Sequence, residues 1–126
     1  MRIFIVGLSL AAVIAVGAGT SSSQTQTELT QQSLNDYRSA DRKLNAVYSS
    51  LVARLSPAGK TSLQTAQLTW IRFRDQECEF ESMGTVGGSI HPMIVNGCLA
   101  RLTLQRTKDL EHQLNCQEGD LSCVRQ

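Results

Sequence analysis

A chain of 126 residues has room for one domain, and with 5% aromatic residues its core must be thin. Its 12 basic and 11 acidic residues nearly cancel, and they balance if a leader carrying Arg2 is removed. That charge excludes the cationic footprint of a protein that binds nucleic acid or an anionic membrane surface.

Residues 1–19 read as a secretory signal peptide: one basic residue, an apolar run from Ile3 to Val16, then small residues where a peptidase would cut. No cysteine follows them to carry a lipid anchor. An uncleaved span competes, since the run approaches the length that crosses a bilayer, but Gly7, Ser9 and Gly17 interrupt it. Cleavage would leave a periplasmic or secreted chain with no membrane insertion. Residues 20–26, all Ser, Thr and Gln, form a flexible leader.

A helical domain is expected over residues 27–116. Its first helix runs from about Thr27, as cap, to Leu55, with Leu34, Tyr37, Ala40, Asp41, Leu44, Val47, Tyr48 and Leu51 on one face. Ser56 followed by Pro57 breaks this helix and starts the next, which reaches about Ser82. There Leu63, Ala66, Gln67, Trp70, Phe73, Arg74 and Glu77 recur at steps of three or four and form the face expected to be buried. Asp75, Glu77, Glu79 and Glu81 crowd the C-terminal end, which the helix dipole disfavours, opposed only by Arg72 and Arg74. They are either a solvated acidic face or a patch for a basic partner. Residues 83–90 form a glycine-rich loop around Gly87 and Gly88, without the Lys-Ser/Thr ending of a phosphate loop. A third helix is predicted from about Pro92 to Asn115, and residues 117–126 form a short polar tail. Three amphipathic helices with short connections make an all-α, antiparallel three-helix bundle.

Four cysteines in a small exported chain favour disulfides, in one of three connectivities. Pairing Cys78 with Cys98 and Cys116 with Cys123 closes two short local loops and is favoured on that ground. A metal site competes, because His112 lies one helical turn before Cys116 and Cys123 follows. A closed zinc site takes four ligands, and His91 is at the far end of the same helix, so neither metal nor cofactor is expected.

A charge breaks each predicted core stripe: Asp41, Arg74 and Arg106. Together they predict a buried ion network in which Asp41 accepts from Arg74, with Arg106 a second or alternative donor and Asn45 and Gln67 meeting leftover groups. Arginines that snorkel to the rim are the plainer alternative. No nucleophile and base are brought together and no two carboxylates are set apart in a cleft, so an enzyme is not expected.

These residues carry a resemblance. TQTEL from Thr25, ADRKLNAVY from Ala40, AQLTWIRFRDQEC from Ala66, GGSI from Gly87 and CLARLTLQRTKDL from Cys98 resemble the lysozyme-inhibitor LprI-type N-terminal domain over residues 25–114. Asp41, Leu44, Asn45 and Tyr48 match its first motif, Trp70, Arg74, Asp75 and Cys78 the second, and Cys98 and Arg106 the third. Where the family often has a cysteine in the first helix, this chain has Gln32, so a disulfide to that helix is absent and Cys78 with Cys98 gains support. The resemblance implies a small exported protein of the bacterial envelope that binds a protein partner, a lysozyme-type muramidase being the one the family name indicates. An inhibitor must reach carboxylates in a cleft, for which the loop offers Ser89, His91 and the amides of Gly87 and Gly88, with Glu79 and Glu81 beside it to attract a basic enzyme. The alternative is a structural or assembly module that binds another protein through a helix face, on the solvent sides of the first and third helices, with the glycine loop only a connector.

Overall fold

The computed structural model describes residues 24–117 and 119–124; the expected signal peptide, the first part of the leader and the last two residues of the tail lie outside them. The chain forms α1 (Gln26–Val52), α2 (Pro57–Ser82), a 3-10 turn (Met83–Thr85) and α3 (His91–Leu114). There is no strand among the described residues, and no helix is long and apolar enough to cross a membrane.

Local chemistry sets the helix starts. The Thr25 hydroxyl accepts from the Glu28 N–H at 3.2 Å and the Glu28 carboxylate accepts from the Thr25 N–H at 2.7 Å, a reciprocal capping box. The cap is therefore Thr25 and not Thr27, because only Thr25 has a glutamate three residues on. At α2 the Ser56 hydroxyl accepts from Gly59, and Pro57 occupies a position where no amide is needed. α1 stops at Val52, short of the expected Leu55, yet Leu55 stays buried in the turn that follows.

Helix direction follows from the side-chain pairs. Ser33 with Asn96, Lys43 with Glu111, and Arg54 with the Leu114 carbonyl ascend both chains together, so α1 and α3 run parallel. Gln67 with Arg106, Arg74 with Thr103, and Cys78 with Cys98 descend one chain as they ascend the other, so α2 is antiparallel to α3. Consecutive helices thus alternate in direction. The closest approach is between the parallel pair, and α1 meets α2 little. Small buried side chains permit that approach: Ala40 on α1, and Ala100, Thr103 and Thr107 on α3. Leu44, Leu51, Leu55 and Leu110 form the apolar core, with Tyr48, Leu63 and Trp70 packed against it.

On α2 the buried side is Leu63, Gln67, Trp70, Arg74 and Cys78, at least partly covered at each position. Ala66 is exposed and Phe73 is 52% exposed, against expectation. The steps from 63 to 78 track one line down the helix, and Phe73 falls about 100° to one side of Arg74. Polar groups win because each finds a partner inside.

Two disulfides close the structure. Cys78–Cys98 joins the end of α2 to α3 with Cα atoms 5.5 Å apart, and both residues are buried. Cys116–Cys123 folds the tail back with Cα atoms 5.9 Å apart. Gln113 also holds the tail, donating to the Ser122 carbonyl and accepting from the Val124 N–H.

Candidate partner-binding groove

Where α1 and α2 stand apart, an open groove of about 710 Å³ runs between them. Tyr37 lies on the α1 side, Arg74, Asp75, Cys78, Glu79 and Ser82 on the α2 side, Met83 and Val86 on the rim, and His91, Val95 and Leu99 on the α3 side. Apolar and charged groups share it, as suits a surface that selects a partner by both area and polarity.

Arg74 sets the inner end. It is buried, and its Nε and Nη2 donate to Asp75 Oδ1 at 2.9 and 2.8 Å. Nη1 donates to Thr103 Oγ1 at 3.3 Å and lies 3.8 Å from Asp41 Oδ1. Its guanidinium also stands 5.3 Å from the Trp70 ring and 5.5 Å from the Tyr37 ring. Asp41 is at the edge of this cluster, its side chain 42% exposed, and accepts from Asn45 at 3.3 Å. Arg106 does not reach Asp41: its Nε donates to Gln67 Oε1 at 3.0 Å, and its guanidinium stands 5.8 Å from the Trp70 ring, the same indole that Arg74 contacts. Burial lowers the Arg106 pKa from its ordinary value, with Asp109 opposing. Leu44 lies in the core, with Tyr48 partly covered beside it.

The glycine segment is a run of turns. The Val86 N–H donates to the Met83 carbonyl, Gly88 N–H to Thr85 at 3.0 Å, and His91 N–H to Gly88 at 3.2 Å. Gly87 takes φ +82°, a conformation that costs other residues a Cβ clash. The Gly88 amide therefore bonds within the segment, which leaves Gly87 as the glycine donor open to a partner. Ser89 is exposed and faces Gln26, Thr30 and Leu34 of α1 across a smaller cleft.

Thr85 fixes the His91 tautomer. Its one hydroxyl hydrogen is donated to the Ser82 carbonyl at 2.8 Å, so the 2.9 Å contact with His91 Nδ1 is an N–H donating to Thr85 Oγ1. Nε2 is left for the groove.

The acidic end of α2 is partly neutralised. Glu81 accepts from Arg101 of α3 at 2.7 and 2.8 Å, and Asp75 is held by Arg74. Glu77 and Glu79 have no ion pair among the described residues, and Glu79 lies on the groove. Arg101, Thr103 and Thr85 are the groups that sequence reasoning missed. Pairing Cys78 with Cys98 across antiparallel helices puts residues 102 and 103 opposite Arg74, so Thr103 had a readable signal in that register; Arg101 and Thr85 had none.

Fold and groove together define a small all-helical domain, closed by two disulfides, with an open and chemically mixed groove at one end. The chain belongs to the Lysozyme inhibitor LprI family, whose profile matches residues 18–110. It is also similar to an uncharacterised protein of Rhizobium meliloti (strain 1021), 37% identical over 97 residues, which are 67% of this chain and 70% of the relative. No solved structure matches it.

Proposed function

We propose that the chain is a non-catalytic, exported binding protein that inhibits a lysozyme-type muramidase through the groove and its rim. Membership of the family supports the class of partner. The observation that carries the site is the exposure of large apolar groups around one end: Phe80 at 68%, Met83 at 63%, Val86 at 72% and Ile90 at 40%. Burying such groups against a partner favours association at roughly 25 cal/mol per Å² of apolar surface. Glu79, with no ion pair among the described residues, suits a basic enzyme, while the Ser89 hydroxyl and the Gly87 amide supply donors for the ionised carboxylate of a muramidase cleft and His91 Nε2 supplies an acceptor for its protonated acid. The two disulfides fit an oxidising compartment such as the periplasm.

Turbidity of a cell-wall suspension treated with several types of lysozyme tests this. The chain should slow clearing at micromolar excess, and Val86→Asp should relieve the inhibition without shifting the melting temperature. No inhibition of any type would remove the muramidase reading.

A second reading, a structural or assembly module, is favoured by one observation. Phe73 and Phe80 lie seven residues apart on one flank of α2 and are both exposed, whereas no large apolar residue is exposed on α1 among the described residues. The helix face it would use is thus on α2 and not on the expected sides of α1 and α3, where Leu104 alone is a large exposed apolar residue among the described residues. Loss of partner capture in Phe73→Ser, with Val86→Asp unaffected, would select this reading over the first.

A further inference from the structure

We infer that the clasp of the C-terminal tail becomes a four-ligand zinc site when its disulfide is reduced. The ligands are His112 and Cys116 at the end of α3, and Asp120 and Cys123 on the tail. One His112 ring nitrogen, one Asp120 carboxylate oxygen and the Cys123 sulfur already lie within 4.8 Å of one another. Cys116 Sγ is bonded to Cys123 Sγ and so shares the same small volume.

Asp120 is the ligand that the spacing of His112, Cys116 and Cys123 did not supply. Zinc bonds of about 2.0 Å to nitrogen or oxygen and 2.3 Å to sulfur place tetrahedral ligand atoms about 3.3 to 3.8 Å apart. His112 Nε2 and Asp120 Oδ2 are 3.9 Å apart, close to such an edge. The sulfurs must part from bonding distance to about 3.8 Å, which side-chain rotation can provide with Cα atoms 5.9 Å apart. Two thiolates, one imidazole and one carboxylate match zinc in softness and number.

The surroundings hold this geometry independently of the sulfur bond. Ser122 donates from its N–H at 2.9 Å and from its hydroxyl at 2.6 Å, both to Asp120 Oδ1. One carboxylate oxygen is thereby fixed and the other is turned to His112, the arrangement that orients ligands in metal sites. Gln113 grips Ser122 and Val124 on either side of Cys123, so the tail stays close after reduction.

The chemistry balances with a dithiol as reductant. It gives two electrons and two protons to the Cys116–Cys123 bond, which breaks into two thiols, and the dithiol becomes a disulfide. Zinc then displaces a proton from each thiol, so uptake of one ion releases two protons. The Cys78–Cys98 bond is buried while Cys116 and Cys123 are only partly covered, so the tail bond is the one a reductant reaches first in the native fold.

The test uses the full chain, reduced with dithiothreitol under native conditions and desalted under nitrogen, with two free thiols confirmed by titration. Cobalt is the spectroscopic probe and zinc the competitor. One cobalt per chain should give the intense visible bands of a tetrahedral site with thiolate charge transfer, displaced by one zinc. His112→Ala and Asp120→Ala should each weaken zinc binding by at least about tenfold, since even outer partners of metal ligands carry about 10- to 100-fold. Cys116→Ser with Cys123→Ser should abolish it while circular dichroism stays unchanged. Failure of the reduced chain to bind, or binding indifferent to His112→Ala and Asp120→Ala, would overturn the inference. Binding that survives in the double serine variant would overturn it too, by placing the metal on Cys78 and Cys98.

Discussion

Replacing Arg74 by Met tests whether the polar cluster holds the bundle. Met keeps much of the volume but leaves the fully buried Thr103 hydroxyl without its donor, a loss of about 1 to 3 kcal/mol. The contacts with the Trp70 and Tyr37 rings contribute about 1 kcal/mol more. Asp75 and Asp41 have side chains 55% and 42% exposed, so both rehydrate, and the cost stays below the roughly 3 to 5 kcal/mol of breaking a fully buried pair. Burial of the Met side chain offsets about 1 kcal/mol, leaving a net loss of about 2 kcal/mol. For a domain of this size that lowers the melting temperature by about 8 to 16 °C. Urea unfolding followed by circular dichroism measures the loss. Double-mutant cycles then divide it: coupling of Arg74 to Asp75 should reach about 1 kcal/mol, and coupling to Asp41 should stay below about 0.5 kcal/mol. A variant within about 0.5 kcal/mol of the parent, or stronger coupling to Asp41, would refute the reasoning.

Removing the Cys78–Cys98 bond by Ser at both positions should cost about 3 kcal/mol in the chain-entropy account, for a loop of 20 residues. The same change at Cys116 and Cys123 should leave the main melting transition in place, because that bond ties the tail and not the helices. Asp120 has its pKa lowered, chiefly by the hydrogen bonds from Ser122. The tail stability linked to it is therefore full above the unfolded carboxylate pKa and lost as pH falls through the lower folded value. The Ser122 amide resonance should move in that window while the helices keep their signals; a bundle that melts with it would contradict the assignment.

Much of the fold was legible because its signals are local. Ser56 with Pro57 sets the start of α2, and the loop-closing cysteines set its junction with α3. The misplaced cap at Thr27 came from reading the first turn without the glutamate that completes the box at Thr25. The ion network was legible as a set of residues and in part as contacts: Arg74 lies 3.8 Å from Asp41, Asn45 donates to Asp41 and Gln67 accepts from Arg106, whereas the closer acid to Arg74 is Asp75 and Arg106 does not reach Asp41. Arg74 turns back to its sequence neighbour Asp75, although adjacent helical positions point about 100° apart, because a long guanidinium stem can curl where a stripe argument sees only Cβ directions. Phe73 was assigned inward on its spacing, but Gln67 and Arg74 hold the centre of that line because α3 offers them Arg106 and Thr103. Such partners depend on register between helices, which periodicity within one helix does not contain.

The same polar cluster explains why a groove exists and how to find out what enters it. α1 and α3 close on each other through Ala40, Ala100 and Thr103, whereas the wide side chains of Arg74 and Trp70 project from α2 into the space that faces them. The gap that remains between α1 and α2 is the groove, with His91 on its α3 side. The chain has two histidines, and the other, His112, sits by the tail near Asp120. Their ring C–H resonances therefore make a paired reporter. A partner seated in the groove should shift or broaden the His91 signal and leave that of His112 in place. A partner on the Phe73 and Phe80 flank of α2 should leave both unchanged while protecting that flank from solvent. A partner that moved His112 alone would place recognition at the tail, against both readings.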